Sequence, residues 1–274
     1  MNLISCSIVC YKTPRKRLEK VVSSLLNSSL DVKIYLIDNS PNDEISNWFN
    51  NTKIEYVFNN SNIGFGAAHN IAIKKAINSS KYHLVLNPDI YFDKDVLEKV
   101  CSFMEENKEI GLLVPKILYI DGTTQFLCKL MPTPLDLFIR RFIPFKSLLE
   151  KQNYLYELKF TGYDKIMDVP VLSGCCMFLR TNILSSVGLF DDRFFMYMED
   201  VDLCRRIGHK FRTVYYPFAV VYHEYEKGSY KNFRLLKHHL RSAVRYFNKW
   251  GWFFDKERIK INKKTLSDLS YYKK

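Results

Sequence analysis

At 274 residues and 47% apolar composition, the chain can bury one substantial core and is excluded from the disordered classes. The formal net charge of +12 selects anionic partners and leaves nucleic acid, phosphorylated substrates and acidic lipid surfaces open. Seven cysteines, an odd number without a Cys-x-x-Cys pair, argue against a zinc site or a disulfide framework and point to a reducing cytosol.

The opening run Met1-Asn2-Leu3-Ile4-Ser5-Cys6-Ser7-Ile8-Val9 lacks a basic leader and reads as a first strand, not a signal peptide. No apolar run approaches the ~20 residues that cross a bilayer, so work at a membrane would be done on its surface. Leu3 to Cys10 hands over at Tyr11-Lys12-Thr13-Pro14 to a helix with Leu18, Val21, Val22, Leu25 and Leu26 at helical spacing, closed by Asn27-Ser28-Ser29. Val32 to Ile37 is a second strand ending in Asp38-Asn39-Ser40-Pro41, and a short helix through Ile45, Trp48 and Phe49 leads to a third strand, Ile54 to Phe58. This β-α-β-α-β alternation predicts a nucleotide-binding α/β sheet.

Asn59 to Asn70 is a polar loop with Gly64 and Gly66 that runs into a helix from Ile71 to Ile77, where backbone N–H groups can approach an anion. It is not the dinucleotide fingerprint, because His69 occupies the third glycine position, and an ordinary glycine-bearing helix cap is the competing reading. Next, Leu84-Val85-Leu86-Asn87-Pro88-Asp89 reads as a buried strand stopped by proline, with a carboxylate at its C-terminal edge. Open α/β sheets bind ligands at that edge, and an acid there can hold a hard cation on a nucleotide's phosphates. Asn-Pro-Asp is also ordinary turn chemistry, with Asp93 as N-cap of a helix running to Glu106.

Ile110 to Val114 gives another strand, and Asp121-Gly122 signals a hairpin turn. Thr133 to Glu150 mixes many apolar side chains with Arg140, Arg141 and Lys146; core packing and a basic patch against acidic lipid both fit, core packing slightly ahead. Val169 to Leu179 reads as one buried strand with a close backbone approach at Gly174, beside Cys175 and Cys176 as small hydrophobes. After a short helix, Asn182 to Val187, closed by Gly188, the run Phe194 to Met198 is wholly apolar and stands directly before Glu199-Asp200. Macrodipole complementarity explains acids at this helix start and Arg205-Arg206 at its end, but not the hydrophobic wall, which makes a carboxylate there a candidate general base.

Arg212 to Tyr216 and Ala219 to Tyr222 are the last strands, followed by His223, for which a structural role is the default. A long helix from Ser229 to Trp250 carries Phe233, Leu236, Leu240, Val244 and Phe247 on one face against Lys231, Arg234, His238, Arg241 and Arg245. Trp250-Gly251-Trp252-Phe253-Phe254 followed by lysines and arginines has the composition of a membrane-interface segment.

Taken together, Asn62-Ile63-Gly64-Phe65-Gly66-Ala67-Ala68-His69-Asn70, Asn87-Pro88-Asp89, Ser173-Gly174 and Phe195 to Arg206 resemble the family 2 inverting glycosyltransferases, closest to the bacterial rhamnosyltransferases. The resemblance covers Leu3 to Ser229. It implies a GT-A fold, a Rossmann-like nucleotide-binding sheet flanked by helices, over residues 1–228, with a donor-binding half to about 115 and an acceptor-side half from about 116. Residues 229–274 would form a helical, basic and aromatic appendage on the membrane or acceptor side. By the same resemblance Asp38 and Tyr11 would line the donor nucleotide pocket with Gly64, Asn70, Asn87 and Asp89, and Asp89 with His223 would hold Mg²⁺ or Mn²⁺ on the diphosphate. Asn87 replaces the first acid of the family's Asp-x-Asp-like motif, which leaves one carboxylate there for the cation. Asp200 matches the catalytic base, with Glu199 and Gly174 on the acceptor side.

The resemblance further implies dTDP-L-rhamnose as donor, with UDP-hexoses next, and a polyprenyl-diphosphate-linked saccharide acceptor in O-antigen-like polysaccharide assembly. The expected place is the cytoplasm, peripheral on the inner face of an anionic bacterial membrane. A Gln-x-x-Arg-Trp motif, carried by the family's processive synthases, is missing, so a single sugar addition is expected. Two rivals remain: a nucleotidyltransferase, which would carry a glycine-rich basic loop where Tyr11-Lys12-Thr13-Pro14 stands, and a non-catalytic binder of acidic lipid or nucleic acid. The binder explains the charge but not Asp89 and Asp200, and no nucleic-acid motif is recognisable.

Overall fold

The computed structural model describes residues 2–139, 146–224 and 233–271. Strand β1 (Asn2–Cys10) is buried on both faces, with Ile4, Cys6, Ile8 and Cys10 on one and Ser5 and Ser7 on the other. Helix α1 (Arg15–Leu26) covers the first face with Leu18, Val21, Val22 and Leu25, and α2 (Phe65–Ala76) lies over β1 with Ala68 and Ala72. The serines on the α2 side are satisfied by histidines: Ser7 Oγ lies 2.6 Å from His69 Nδ1 and 2.8 Å from His83 Nε2, and Ser5 Oγ 2.8 Å from His83 Nδ1.

The remaining strands are β2 (Val32–Asp38), β3 (Ile54–Phe58), β4 (Ser80–Leu86), β5 (Ile90–Phe92), β6 (Ile110–Leu118), β7 (Cys128–Lys129), β8 (Met167–Asp168), β9 (Val171–Leu172), β10 (Cys176–Arg180) and β11 (Arg212–His223). Among the described residues, the main sheet runs β3-β2-β1-β4-β10-β6-β11-β5, with β8 added on β11, while β7 and β9 form a separate ribbon. The first four strands are parallel, and β10 runs antiparallel to both β4 and β6. Strand order reverses at β1, so a crevice opens at the carboxyl ends of β1, β2 and β4, where Asp38 ends β2 and Tyr11 and Asn87 follow β1 and β4.

Several boundaries differ from the sequence reading. Helix α2 starts at Phe65, not Ile71, because Gly64 at φ 94° turns the chain and the Phe65 N–H donates to Phe195 O at 2.9 Å. Helix α3 is Val96–Glu106 with Asp95, not Asp93, ahead of it, and the expected helix at Ile45 is a single 3₁₀ turn. Val169 to Leu179 is two strands, since Ser173 to Cys175 leaves the ladder between β9 and β10. The two expected last strands are one, β11, with a register shift between Tyr216 and Val220 that accommodates Pro217, which has no N–H to give. The turn at Asp121-Gly122 forms, with Gly122 N–H donating to Tyr119 O. Residues 140–145 of the Thr133–Glu150 stretch, and the expected helix start at Ser229 with Lys231, lie outside the described residues.

Helices α4 (Lys146–Tyr156), α5 (Leu184–Val187), α6 (Glu199–Gly208), α7 (Phe233–Trp250) and α8 (Lys256–Asp268) complete the order. Ala243, Tyr246 and Phe247 of α7 build a second core with Met131, Val171, Phe194, Met198 and Val201. Of the apolar face expected for this helix only Phe247 is fully inside, whereas Leu240 and Val244 are 36% and 39% exposed. The rotation brings Lys249 Nζ and Trp250 Nε1 to Asp202 Oδ1, at 2.6 and 2.8 Å. Asp202 is fully buried on α6 and also accepts from Arg206 Nε at 2.8 Å. One turn on, the buried Arg205 forks onto Asp255 at 2.6 and 2.9 Å, bolting α8's N-terminus to the same helix.

Removing one partner of such a cluster strands the others. Asp202→Ala is therefore expected to lower stability by about 3 kcal/mol, the low end of the buried-pair range because Lys249 and Arg206 keep some water contact. For a chain of this size that is a fall in Tm of roughly 6–12 °C, readable by calorimetry.

Candidate active site

The crevice has a nucleotide-sized compartment at the ends of β1 and β2. Lys12, Arg15, Asp38, Ser40, Ile45 and Trp48 are among the residues around a cleft of about 530 Å³. Asp38 is fully buried; its Oδ1 accepts the Ser40 N–H at 2.9 Å and its Oδ2 the Tyr56 hydroxyl at 2.9 Å. The same hydroxyl faces Asp43 Oδ1 at 2.6 Å and has one proton to give, so burial and the two carboxylates push the Tyr56 phenol far above its ordinary range. Lys12 N–H donates to Ser40 Oγ at 2.8 Å, joining the loops after β1 and β2, and the Arg15 guanidinium lies 6.0 Å from the Trp48 ring. Tyr11 is half-exposed just before Lys12.

The second compartment is at the ends of β4 and β11. Asn87 N–H donates to Cys175 O at 2.9 Å, and Asp89 follows in the turn to β5. Asp89 Oδ1 is buried without a hydrogen bond and lies 3.3 Å from His223 Nε2. The tautomer of His223 follows from Gln125: the glutamine Nε2 points at the carbonyls of Leu118 and His223, 3.5 and 3.3 Å away, so its Oε1 is the atom 2.9 Å from His223 Nδ1. Nδ1 then carries a proton, and Nε2 is the ring nitrogen that faces the carboxylate. A ring nitrogen fixed by a hydrogen bond on its far side, next to a carboxylate oxygen lacking one, suits a divalent cation, whose cis ligands on bonds of about 2.1 Å sit about 3 Å apart. Among the described residues no third His, Cys, Asp or Glu joins them, which leaves the remaining positions to water and phosphate oxygens.

The third element is the N-terminus of α6. Asp200 Oδ2 accepts the Gly174 N–H at 3.0 Å and Oδ1 the Val201 N–H at 2.8 Å, so the break between β9 and β10 serves to clamp this carboxylate. A Cβ on residue 174 would sit 3.2 Å from Asp200 Cβ and 3.4 Å from the Phe65 ring, which is why glycine stands there. The next residue, Cys175, accepts the Asn87 N–H and so ties this clamp to the Asp89 turn, and burial pushes its thiol up to about 12. Glu199 turns inward and is buried; burial, and then the charge of Asp200, hold its carboxyl well above the usual range. Tyr197 and Met198 at φ 69° and 70° make the tight approach that delivers the helix start to this place.

Two expected donor contacts sit behind this segment. Asn70 donates to Phe190 O at 2.8 Å and to Asp192 Oδ1 at 2.6 Å and accepts from Phe190 N–H at 3.1 Å, so both ends of its amide hold the 190–192 loop. Gly64 lies against the Phe195 backbone, where a Cβ would collide with Phe195 O. Asp38 thus lines the nucleotide-sized cleft, and Tyr11 directly precedes Lys12 at its edge without being among the lining residues. Asn87, Asp89, His223, Gly174 and Asp200 are linked through the Ser173–Cys175 break and the Asp89–His223 contact, with Glu199, Gly64 and Asn70 in support. Tyr56, Gln125 and Asp202 were not singled out from sequence; a tyrosine on the strand beside an acid-ending strand was the one local signal among them.

A mixed sheet whose parallel half reverses at β1, with a carboxylate ending β2, one after β4 and another at the start of helix α6, has the form of a nucleotide-binding α/β domain. Residues 5–188 match Glycosyl transferase family 2, and the chain belongs to that family. It is 24% identical over 206 residues to the low-salt glycan biosynthesis hexosyltransferase Agl10 of Haloferax volcanii, covering 74% of this chain and 61% of that protein. It is 25% identical over 234 residues to the N-acetylglucosaminyl-diphospho-decaprenol L-rhamnosyltransferase of Mycobacterium tuberculosis, covering 77% and 73%. The rhamnosyltransferase WbbL of Escherichia coli is 27% identical over 194 residues, covering 67% and 69%. The fold is GT-A: GalNAc-T7, solved with UDP, GalNAc and Mn²⁺, superimposes with a TM-score of 0.65 at 16% identity, over 98% of this chain and 55% of that one.

Proposed function

We propose that this chain is an inverting glycosyltransferase that adds one sugar, L-rhamnose from dTDP-L-rhamnose, to a polyprenyl-diphosphate-linked saccharide. The observation that carries the reading is that two adjacent residues of the β9–β10 break hold both acid-bearing segments: Gly174 N–H donates to Asp200 Oδ2, and Cys175 O accepts the Asn87 N–H at the start of the Asp89 turn. Two of the relatives are rhamnosyltransferases by name, and the mycobacterial one names a decaprenyl diphosphate acceptor. O-antigen-like polysaccharide assembly at the cytoplasmic face of an anionic membrane fits such substrates.

In this mechanism the Asp38 cleft holds the nucleotide. Asp89 Oδ1 and His223 Nε2 would hold a divalent cation, and the nitrogen ligand favours Mn²⁺ over Mg²⁺. When bound, the cation neutralises charge on the leaving diphosphate. Asp200, aimed by the Gly174 and Val201 N–H groups, takes the proton of the acceptor hydroxyl as that oxygen bonds to the anomeric carbon. The bond from that carbon to the diphosphate oxygen breaks with its electron pair leaving on the nucleotide, and the single displacement inverts the configuration. Glu199, its carboxyl held up by burial, supports the helix start next to the base.

The test is turnover of a panel of nucleotide sugars on a short-chain N-acetylglucosaminyl-diphospho-lipid with Mn²⁺. Product from dTDP-L-rhamnose, faster than from UDP-hexoses by at least roughly tenfold, is the expected result, about what a few pocket contacts discriminate. A faster UDP-hexose keeps the mechanism and replaces the donor; release of no nucleoside diphosphate from any donor overturns the reading.

A further inference from the structure

Helix α7 contains no acidic residue, and its outward side alternates apolar and cationic groups. Leu240 and Val244 are exposed one turn apart, among the exposed Lys237, Arg241 and Arg245. The same row continues through Asn248 to Trp252, whose Nε1 donates to Asn248 Oδ1 at 2.8 Å. Trp252 in turn leans on Phe253, ring centres 6.5 Å apart. Phe253 is 68% exposed and Phe254 95%. Single apolar residues on a surface are ordinary, but a row of them ending in two adjacent bare phenylalanines is not.

From these contacts we infer that the outward row of α7 together with Phe253 and Phe254 is a docking face for an anionic lipid bilayer. Charge selects this occupant. A second copy meeting the chain through the same face would set arginines and lysines against each other, and a neutral partner would leave them unpaired. Lipid phosphates accept them at the depth where phenylalanine and leucine reach the acyl boundary, and each cation near such a surface adds about 1 kcal/mol.

The face is joined rigidly to the candidate site. Lys249 and Trp250 hold Asp202 of α6, and Ser242 Oγ donates to Met196 O at 2.8 Å, in the segment that delivers Asp200. Docking through α7 therefore sets the height of the acceptor side above the membrane. That consequence rests on the lipid-linked acceptor proposed above; the docking itself does not.

The test is co-sedimentation of the full chain with vesicles of phosphatidylcholine alone or mixed with phosphatidylglycerol, without donor or acceptor. Binding to the mixed vesicles only, weakened by salt, is expected. Phe253→Ser/Phe254→Ser and Lys237→Glu/Arg241→Glu should each weaken it by at least roughly tenfold, in line with the loss of two anchoring groups. Their Tm values and their turnover of a water-soluble acceptor analogue should stay unchanged. Equal binding to both vesicle types, no binding, or binding untouched in both double variants overturns the inference. Absence of turnover in the unaltered chain with vesicle binding intact would instead count against the sugar-transfer reading alone.

Discussion

Asp200→Asn is expected to lower kcat by about 10³-fold, within the range a positioned general base supplies, while the Kd for the nucleotide sugar changes less than about twofold. Asp200 receives two backbone N–H groups, one on each oxygen, and asparagine can accept with only one of its two terminal atoms. One N–H, from Gly174 or Val201, then faces an amide NH₂, and the variant is expected to lose about 1 kcal/mol of stability, a fall in Tm of roughly 2–4 °C. The small Tm change and the large kcat change separate a lost base from a collapsed site. Turnover within tenfold of the unaltered chain would remove Asp200 from the chemistry and leave it a clamp between α6 and the β9–β10 break.

How far the residues alone led can be traced element by element. Strands β1 to β4 and helix α1 were legible because their signals are local: β-branched and apolar runs ended by Asp38-Asn39-Ser40-Pro41 or Asn87-Pro88, and Pro14 at a helix start. The break at Ser173 to Cys175 was not, since an unbroken apolar run gives no sign that one N–H leaves the ladder for a carboxylate on another element. The rotation of α7 was hidden for a related reason. A count of apolar positions favours Phe233, Leu240 and Val244, but the fully buried carboxylate of Asp202 demands Lys249 and Trp250 and turns those side chains outward. His223 offered no local signal either. Its ring is held by Gln125, 98 residues away in sequence, and that contact turns Nε2 to Asp89.

Asp89→Asn is expected to give opposite effects with and without ligand. In the unliganded chain Asp89 Oδ1 is buried without a hydrogen bond 3.3 Å from His223 Nε2, and asparagine removes that buried charge while keeping its shape. The variant should then be as stable as the parent or more so, by about 1 kcal/mol. With nucleotide sugar and Mn²⁺ present the order reverses. Ligand at one hundred times its Kd raises the parent's stability by about 2.7 kcal/mol, a Tm increase of roughly 5–10 °C, and the variant loses the part that depends on the cation. kcat should fall by about 10²-fold or more, because the leaving diphosphate is no longer neutralised. His223→Gln should lose the cation dependence too, whereas Gln125→Ala, which frees the ring to turn, should weaken Mn²⁺ affinity by about tenfold without abolishing it. Three thermal-shift series, with cation, donor or both, distinguish these cases. A cation response preserved in both Asp89→Asn and His223→Gln would mean that the pair is a buried hydrogen-bonded couple and that the diphosphate is neutralised by other groups.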